Sequence, residues 1–493
     1  MNRRELIRSM ALASLATGAS SILSPVRALA ATCPSPPLAE SYPMLDRTLV
    51  NVMLNGGADL RFLFMPFYGI DGGLDAAHLD LMWSARQKMY ALARSNDYTS
   101  YQQMFDNEYL FVPADGLRPA FGIYRRCGWL HQQFLAGNVA IVANAHCSKN
   151  RRHDQSILNA EVGEPGYTQL NGDRDGWGGR LVEYIGSGAN AVEIGGSIST
   201  FNKGSVEGSR LAQVVHAQDT RNISLPNTAS GNSTNQGSVV TRALKSYYAG
   251  RSPEVATEQP ADWPFQAFFK HNQAFRELEG LMDARLDACG GIPESLQFQG
   301  ANNLGSNSWE QQIRNLHDTC FAADILGART LSMSYGGWDT HGSEENRIGR
   351  NLEDIFGTDK GLDMGMREIA TFDSNASEQL AFYFASDFGR QLVTNGDFGT
   401  DHGTGTYGIL MGYEVNGGVY GDMFPVTETL PESSGTIPLE RHGADITGLT
   451  STEHILGQVA EWMSAGASAA VVPDLADAPL EPGVTLDLLP PAA

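Results

Sequence analysis

The chain has 493 residues and carries 56 Asp and Glu against 34 Lys and Arg, a formal net charge of −22. A surface this acidic repels polyanions, which argues against nucleic acid and anionic membranes as partners. Five cysteines at scattered spacings (Cys33, Cys127, Cys147, Cys289 and Cys320) give neither a zinc-finger nor an iron–sulfur pattern.

The N-terminus reads Met1-Asn2-Arg3-Arg4-Glu5, runs through an apolar Ala/Ser/Leu-rich stretch from Met10 to Leu23, and reaches Ala28-Leu29-Ala30. Twin arginines, a modest apolar region and an A-x-A site, in that order, predict a twin-arginine export signal over residues 1–30. The expected location is therefore the periplasm or the exterior. The apolar stretch is too short and too polar to span a bilayer, and no later segment reaches the ~20 apolar residues a span requires. An oxidising compartment permits disulfides, and Cys289 and Cys320 are the closest pair among the later cysteines.

Four short apolar runs follow along the chain: Arg47–Met53, Val139–Ala143, Leu331–Tyr335 and Leu380–Ala385. They are unbroken rather than alternating, as expected for strands buried on both faces. Helical segments are predicted over Phe121–Ala136, Gly178–Ile185, Phe265–Leu286, Ser308–Leu326 and Thr452–Met463. Together these predict an α/β fold, a doubly wound and mostly parallel sheet with helices on both faces. Between Gly195 and Pro264, Ser, Asn, Thr and Gly dominate, which marks an inserted loop and helical region set at about 196–310. The core domain is expected over 31–473, and the Pro-rich acidic tail at 474–493 is expected to be peripheral.

Two of the apolar runs end in residue types that can ligate metals. Leu331–Tyr335 leads into Gly337-Trp338-Asp339-Thr340-His341. Leu380–Ala385 leads into Ser386-Asp387-Phe388-Gly389-Arg390 and then Gly399-Thr400-Asp401-His402-Gly403. Strand ends that deliver Asp and His into adjoining loops are how α/β enzymes present metal ligands. The first strand also ends in a carboxylate, in Asn55-Gly56-Gly57-Ala58-Asp59. His146 and His153 flank the loop after the second strand, where Ser148 also lies, and these three are candidates for a catalytic role. Each residue has a plain alternative: Asp339 as a turn or cap, His341 as a loop histidine, Asp401 as an Asx turn. Their joint placement at strand ends favours a shared site.

Taken in order, Asn55–Asp59, Arg151-Arg152-His153, Gly176–Arg180, Gly337–His341, Ser386–Arg390 and Gly399–Gly403 resemble an exported bacterial family of uncharacterised function. This is the domain of unknown function 1501, placed in the alkaline phosphatase-like (sulfatase-like) superfamily. The resemblance implies a two-metal hydrolase. It assigns Asp339, His341 and His402 to one metal and Asp59 and Asp387 to the other, with Asp401 either a ligand or the partner that orients His402. Divalent zinc, manganese, magnesium or calcium would suit such ligands. Two departures stand out. The family's Arg-Ser-His-Phe reads Arg151-Arg152-His153-Asp154 here, so the hydroxyl at that place is absent. The family's Glu before Phe-Gly-Arg is Asp387.

Arg152 and Arg390 are candidate anion contacts, with ion pairing as the alternative in so acidic a chain. The expected activity is hydrolysis of a small-molecule or glycan ester, of phosphate or sulfate type. The alternative is a non-catalytic descendant that binds a glycan, an envelope component or a protein. A redox cofactor is disfavoured, because no G-x-G-x-x-G follows the first strand.

Overall fold

The computed structural model describes residues 46–204 and 307–492, apart from 92–97, 117, 172–173, 187–188, 196–198 and 373–375. Between 205 and 306 it describes only 214–216, 220, 280–285, 287 and 296. The expected export signal, Cys33, Cys289 and most of the helix expected at Phe265–Leu286 lie outside the described residues, as does most of the expected insertion.

Twelve strands occur among the described residues: β1 (Thr48–Asn55), β2 (Phe64–Pro66), β3 (Tyr109–Val112), β4 (Phe121–Tyr124), β5 (Val139–His146), β6 (Asn190–Glu193), β7 (Val214–His216), β8 (Ala328–Gly336), β9 (Leu380–Ser386), β10 (Thr406–Gly412), β11 (Gly418–Tyr420) and β12 (Thr450–Ser451). Nine form the central sheet, in the order β11-β5-β10-β9-β1-β8-β6-β7 with β12 also on β5. β1 runs parallel to β8 and β9, β6 is parallel to β8 and β7, and β11 and β12 are parallel to β5. Only β10 is reversed; it is antiparallel to both β9 and β5. The fold is a mixed α/β architecture with a mainly parallel sheet.

The four apolar runs read from sequence are β1, β5, β8 and β9, and their lack of alternation has a direct cause. Successive side chains enter two different cores. Val50, Val52 and Leu54 of β1, with Phe382 and Phe384 of β9, face one core; Leu49 and Met53, with Ala381 and Tyr383, face the other. The first core is closed by α1 (Ala76–Ala91), α4 (Asn307–Phe321), α5 (Glu344–Phe356) and α6 (Gly361–Phe372). The second is closed by α3 (Trp177–Ile185) and α7 (Glu453–Met463). Helices therefore cover both faces, as expected.

One expectation needs correction. Phe121–Ala136 is not one helix: Phe121–Tyr124 is a strand, and the helix begins at Gly128. The segment is apolar at both periods, so tertiary partners decide; β4 is held between β2 and β3 in a small antiparallel sheet. The C-terminal tail is exposed over most of its length, but it is anchored near its end. Leu488 and Leu489 are buried in the second core, and Leu488 N donates to Gln458 Oε1.

Candidate metal centre

β8, β1 and β9 are adjacent and level, with Asn55 paired to Gly336 and Leu54 to Ser386. Their three carboxyl-end loops therefore emerge side by side, where parallel α/β sheets bind ligands. The reversed β10 adds to this. A parallel return would carry the chain to the far edge, whereas an antiparallel one keeps the whole connection from Asp387 to Gly405 on the site edge. Asp401 and His402 lie on that connection.

The loops meet because of Gly56 and Gly57. Both have positive φ, 126° and 73°. A Cβ on Gly56 would lie 2.5 Å from Asp339 N, and one on Gly57 would lie 2.4 Å from the Phe388 ring. Arg390, almost completely buried, ties the same loops together. Its Nε donates to Gly57 O, its Nη1 to Thr400 O, and its Nη2 to Gly56 O, Trp338 O and Asp339 Oδ1.

At the centre, Asp339 Oδ1 lies 3.1 Å from His402 Nε2 and 3.1 Å from His341 Nε2, and the two Nε2 atoms are 3.0 Å apart. His153 stands at the start of α2 (His153–Val162), and its Nε2 is 3.7 Å from Asp339 Oδ1. Ligand atoms of His153, Asp339 and His402 all lie within 4.8 Å of one another. Tetrahedral ligation at ~2.1 Å places donors about 3.4 Å apart, close to the distances from the three Nε2 atoms to Asp339 Oδ1.

Hydrogen bonding at the other ring nitrogens decides which way each imidazole faces. His341 Nδ1 is 2.8 Å from Asp401 Oδ1, His402 Nδ1 is 3.0 Å from Arg151 O, and His153 Nδ1 is 2.6 Å from Asp387 Oδ2. All three partners are acceptors, so each Nδ1 donates outward and each Nε2 is turned inward. His153 Nε2 is buried and has no hydrogen-bond partner. Three imidazole nitrogens thus gather around one carboxylate oxygen, a setting that favours a positive charge, a metal ion or a proton.

The electrostatics favour the ligand forms of Asp339 and His402 and the protonated form of His153. Burial alone would raise the Asp339 carboxyl, but Arg390 and the surrounding imidazoles outweigh it and hold the group at about 2. Burial pushes His402 below its ordinary value, which favours the neutral ligand form. His153 is raised, chiefly by its hydrogen bond to Asp387. The Asp339 and His341 side chains are nearly half exposed, at 48% and 46%, which leaves one side of the cluster open.

The structure brings together Asp339, His341 and His402, with Asp401 behind His341 rather than behind His402. His153, expected as a general candidate, joins them. Two carboxylates expected as ligands have other partners. Asp387 accepts from Gly56 N and Gly57 N through Oδ1 and orients His153 through Oδ2. Asp59 pairs with Arg86 Nη1 at 2.8 Å, both side chains being buried, and caps a short helix by accepting from Phe62 N.

The expected anion contacts are also otherwise engaged. Arg152 pairs with Asp154, and Arg390 is consumed by the loops it clamps. Ser148 is buried, and its Oγ meets Asn150 N and Asn159 Nδ2. His146 lines a separate cavity of about 410 Å³ with Lys149, Glu164 and Tyr167. The role of His153 had one sequence signal: a histidine flanking the loop just beyond a buried strand.

Residues 299–436 match the profile of a family described as "Protein of unknown function (DUF1501)". The matched stretch contains Asp339, His341, Asp387, Arg390, Asp401 and His402, but not His153 or Asp59. No curated protein matches the chain. Among the described residues, no helix is long and apolar enough to cross a membrane.

Proposed function

We propose that this protein is a metal-dependent hydrolase-like protein whose centre holds one divalent transition-metal ion through His153, Asp339, His341 and His402. The observation that carries the reading is the inward convergence of three Nε2 atoms on Asp339 Oδ1, each ring fixed by an acceptor at Nδ1. Three imidazoles to one carboxylate favour zinc-like ions over magnesium or calcium, which prefer oxygen. A bound ion supplies Lewis-acid polarisation of an ester oxygen and makes a water molecule more acidic.

The chain's own residues do the rest. Asp387 and Asp401 hold His153 and His341 in register, Arg390 fixes the carboxylate, and the exposed side of Asp339 and His341 admits substrate. Arg151 pairs with Asp445 and Arg152 with Asp154, so the metal itself is the positive partner for an ester's developing charge. A water nucleophile fits better than a side-chain hydroxyl, because Ser148 is buried and turned to its neighbours.

That same feature favours a second reading, a metal-stabilised binding protein without turnover. The test is hydrolysis of aryl phosphate, sulfate and carboxylate esters by metal-loaded protein and by His402→Ala. Metal-dependent turnover lost in the variant supports the hydrolase. Metal binding with no turnover on any ester supports the second reading.

A further inference from the structure

We infer that Glu344 is a positioning residue, a buried bridge that sets the distance between the two loops carrying the proposed metal ligands. The inference rests on the metal-centre reading. Asp339 and His341 belong to one loop and Asp401 and His402 to another, and covalent structure does not relate them. The residue between the first pair is Thr340, and the residue before the second pair is Thr400. Glu344 Oε1 accepts from both hydroxyls, from Thr340 Oγ1 at 3.1 Å and from Thr400 Oγ1 at 2.8 Å. All three side chains are wholly buried.

The backbone around the bridge is built for close approach. Thr400 N donates to Thr340 O at 3.3 Å, Ser343 N to Asp397 O and Glu344 N to Phe398 O, both at 3.1 Å, and Gly342 pairs with Phe398. A Cβ on Gly399 would lie 2.4 Å from Thr340 O. Ser343 and Phe398, neither of them glycine, take left-handed φ values of 51° and 62° at this junction. Strain of this kind persists only where the surroundings over-determine it.

Glu344 opens α5, where a carboxylate ordinarily faces solvent at the helix start. Here it points inward instead. Burial pushes its carboxyl up to about 8, with the charge of Asp59 adding to the effect and Arg86 and Arg390 opposing it. Its Oε1 accepts both hydroxyls, a role that a glutamine amide oxygen can also fill.

The experiment titrates cobalt(II) into the full chain as wild type, Glu344→Gln, Glu344→Leu and Thr400→Val. It reads affinity and the visible spectrum of the bound ion, with circular dichroism to confirm folding. Glu344→Gln should bind at wild-type affinity with an unchanged spectrum. Glu344→Leu should lose about 10–100-fold in affinity and show an altered spectrum, and Thr400→Val should lose about tenfold, in the range of residues that orient ligands. Wild-type affinity and spectrum in both Glu344→Leu and Thr400→Val would overturn the bridge while leaving the metal centre standing. Failure of wild type to bind cobalt would overturn both. If Glu344→Leu does not fold, Thr400→Val decides.

Discussion

Asp59 and Asp339 follow the carboxyl ends of neighbouring strands, β1 and β8, in similar glycine-rich loops, and each meets an arginine. Their fates differ. Asp59 is buried against Arg86, which faces it with one nitrogen and turns its others to the carbonyls of Gln391 and Leu392. That pair closes on itself. Asp339 is half exposed, and its arginine is shared among four backbone carbonyls, so its carboxylate still faces three imidazoles and an opening. A strand-end aspartate becomes a ligand candidate when its neutralising partner is insufficient and its other neighbours are imidazole nitrogens. With a dedicated internal cation it becomes part of the scaffold.

Substitutions should separate the two roles. Asp59→Ala leaves Arg86 buried and uncompensated, and should cost about 3–5 kcal/mol of stability in chemical denaturation. The folded fraction should bind metal as wild type does; a folded Asp59→Ala protein without metal would make Asp59 a ligand. Asp339→Ala and His402→Ala should do the converse. Metal affinity should fall by more than the ~100-fold upper range for residues that only orient ligands, with the far-UV spectrum unchanged.

Asp387→Asn and Asp401→Asn, which remove only the orienting charge behind His153 and His341, should lose about 10–100-fold in affinity. Losses as large as those of Asp339→Ala would show that these carboxylates contact the ion directly. The smallest effect is one of pH. His153 is raised by Asp387, so a proton competes for its Nε2 from above the ordinary imidazole value of ~6.5, and metal affinity should fall as pH drops through that range. In metal-free protein the sign reverses. The protonated ring stabilises the fold fully below its unfolded pKa, and that contribution is lost as pH rises through the raised value. Asp387→Asn should shift the onset of both changes to lower pH.

Much of the architecture was legible because the core strands are unbroken apolar runs, and their termini announced Asp339, His341 and His402. The small antiparallel sheet was not legible, since Phe121–Tyr124 fits helical and strand periods equally and only β2 and β3 decide between them. His153 was legible as a candidate but not as a partner of Asp339, because nothing local relates two residues so far apart in sequence. The pairing of Asp59 with Arg86 was hidden for the same reason. The arginine lies on α1, beyond the reach of any short motif. Arg390 was read as an ion-pair partner or an anion contact, and its carbonyl-clamping role depends on three loops meeting.

Metal stoichiometry tests the central claim most directly. Elemental analysis of the full-length purified protein, after loading with zinc and removal of excess, should give one ion per chain, lost in His402→Ala. Two ions per chain, with the second lost in Asp59→Ala, would contradict the single centre, and no retained ion would contradict the metal site altogether.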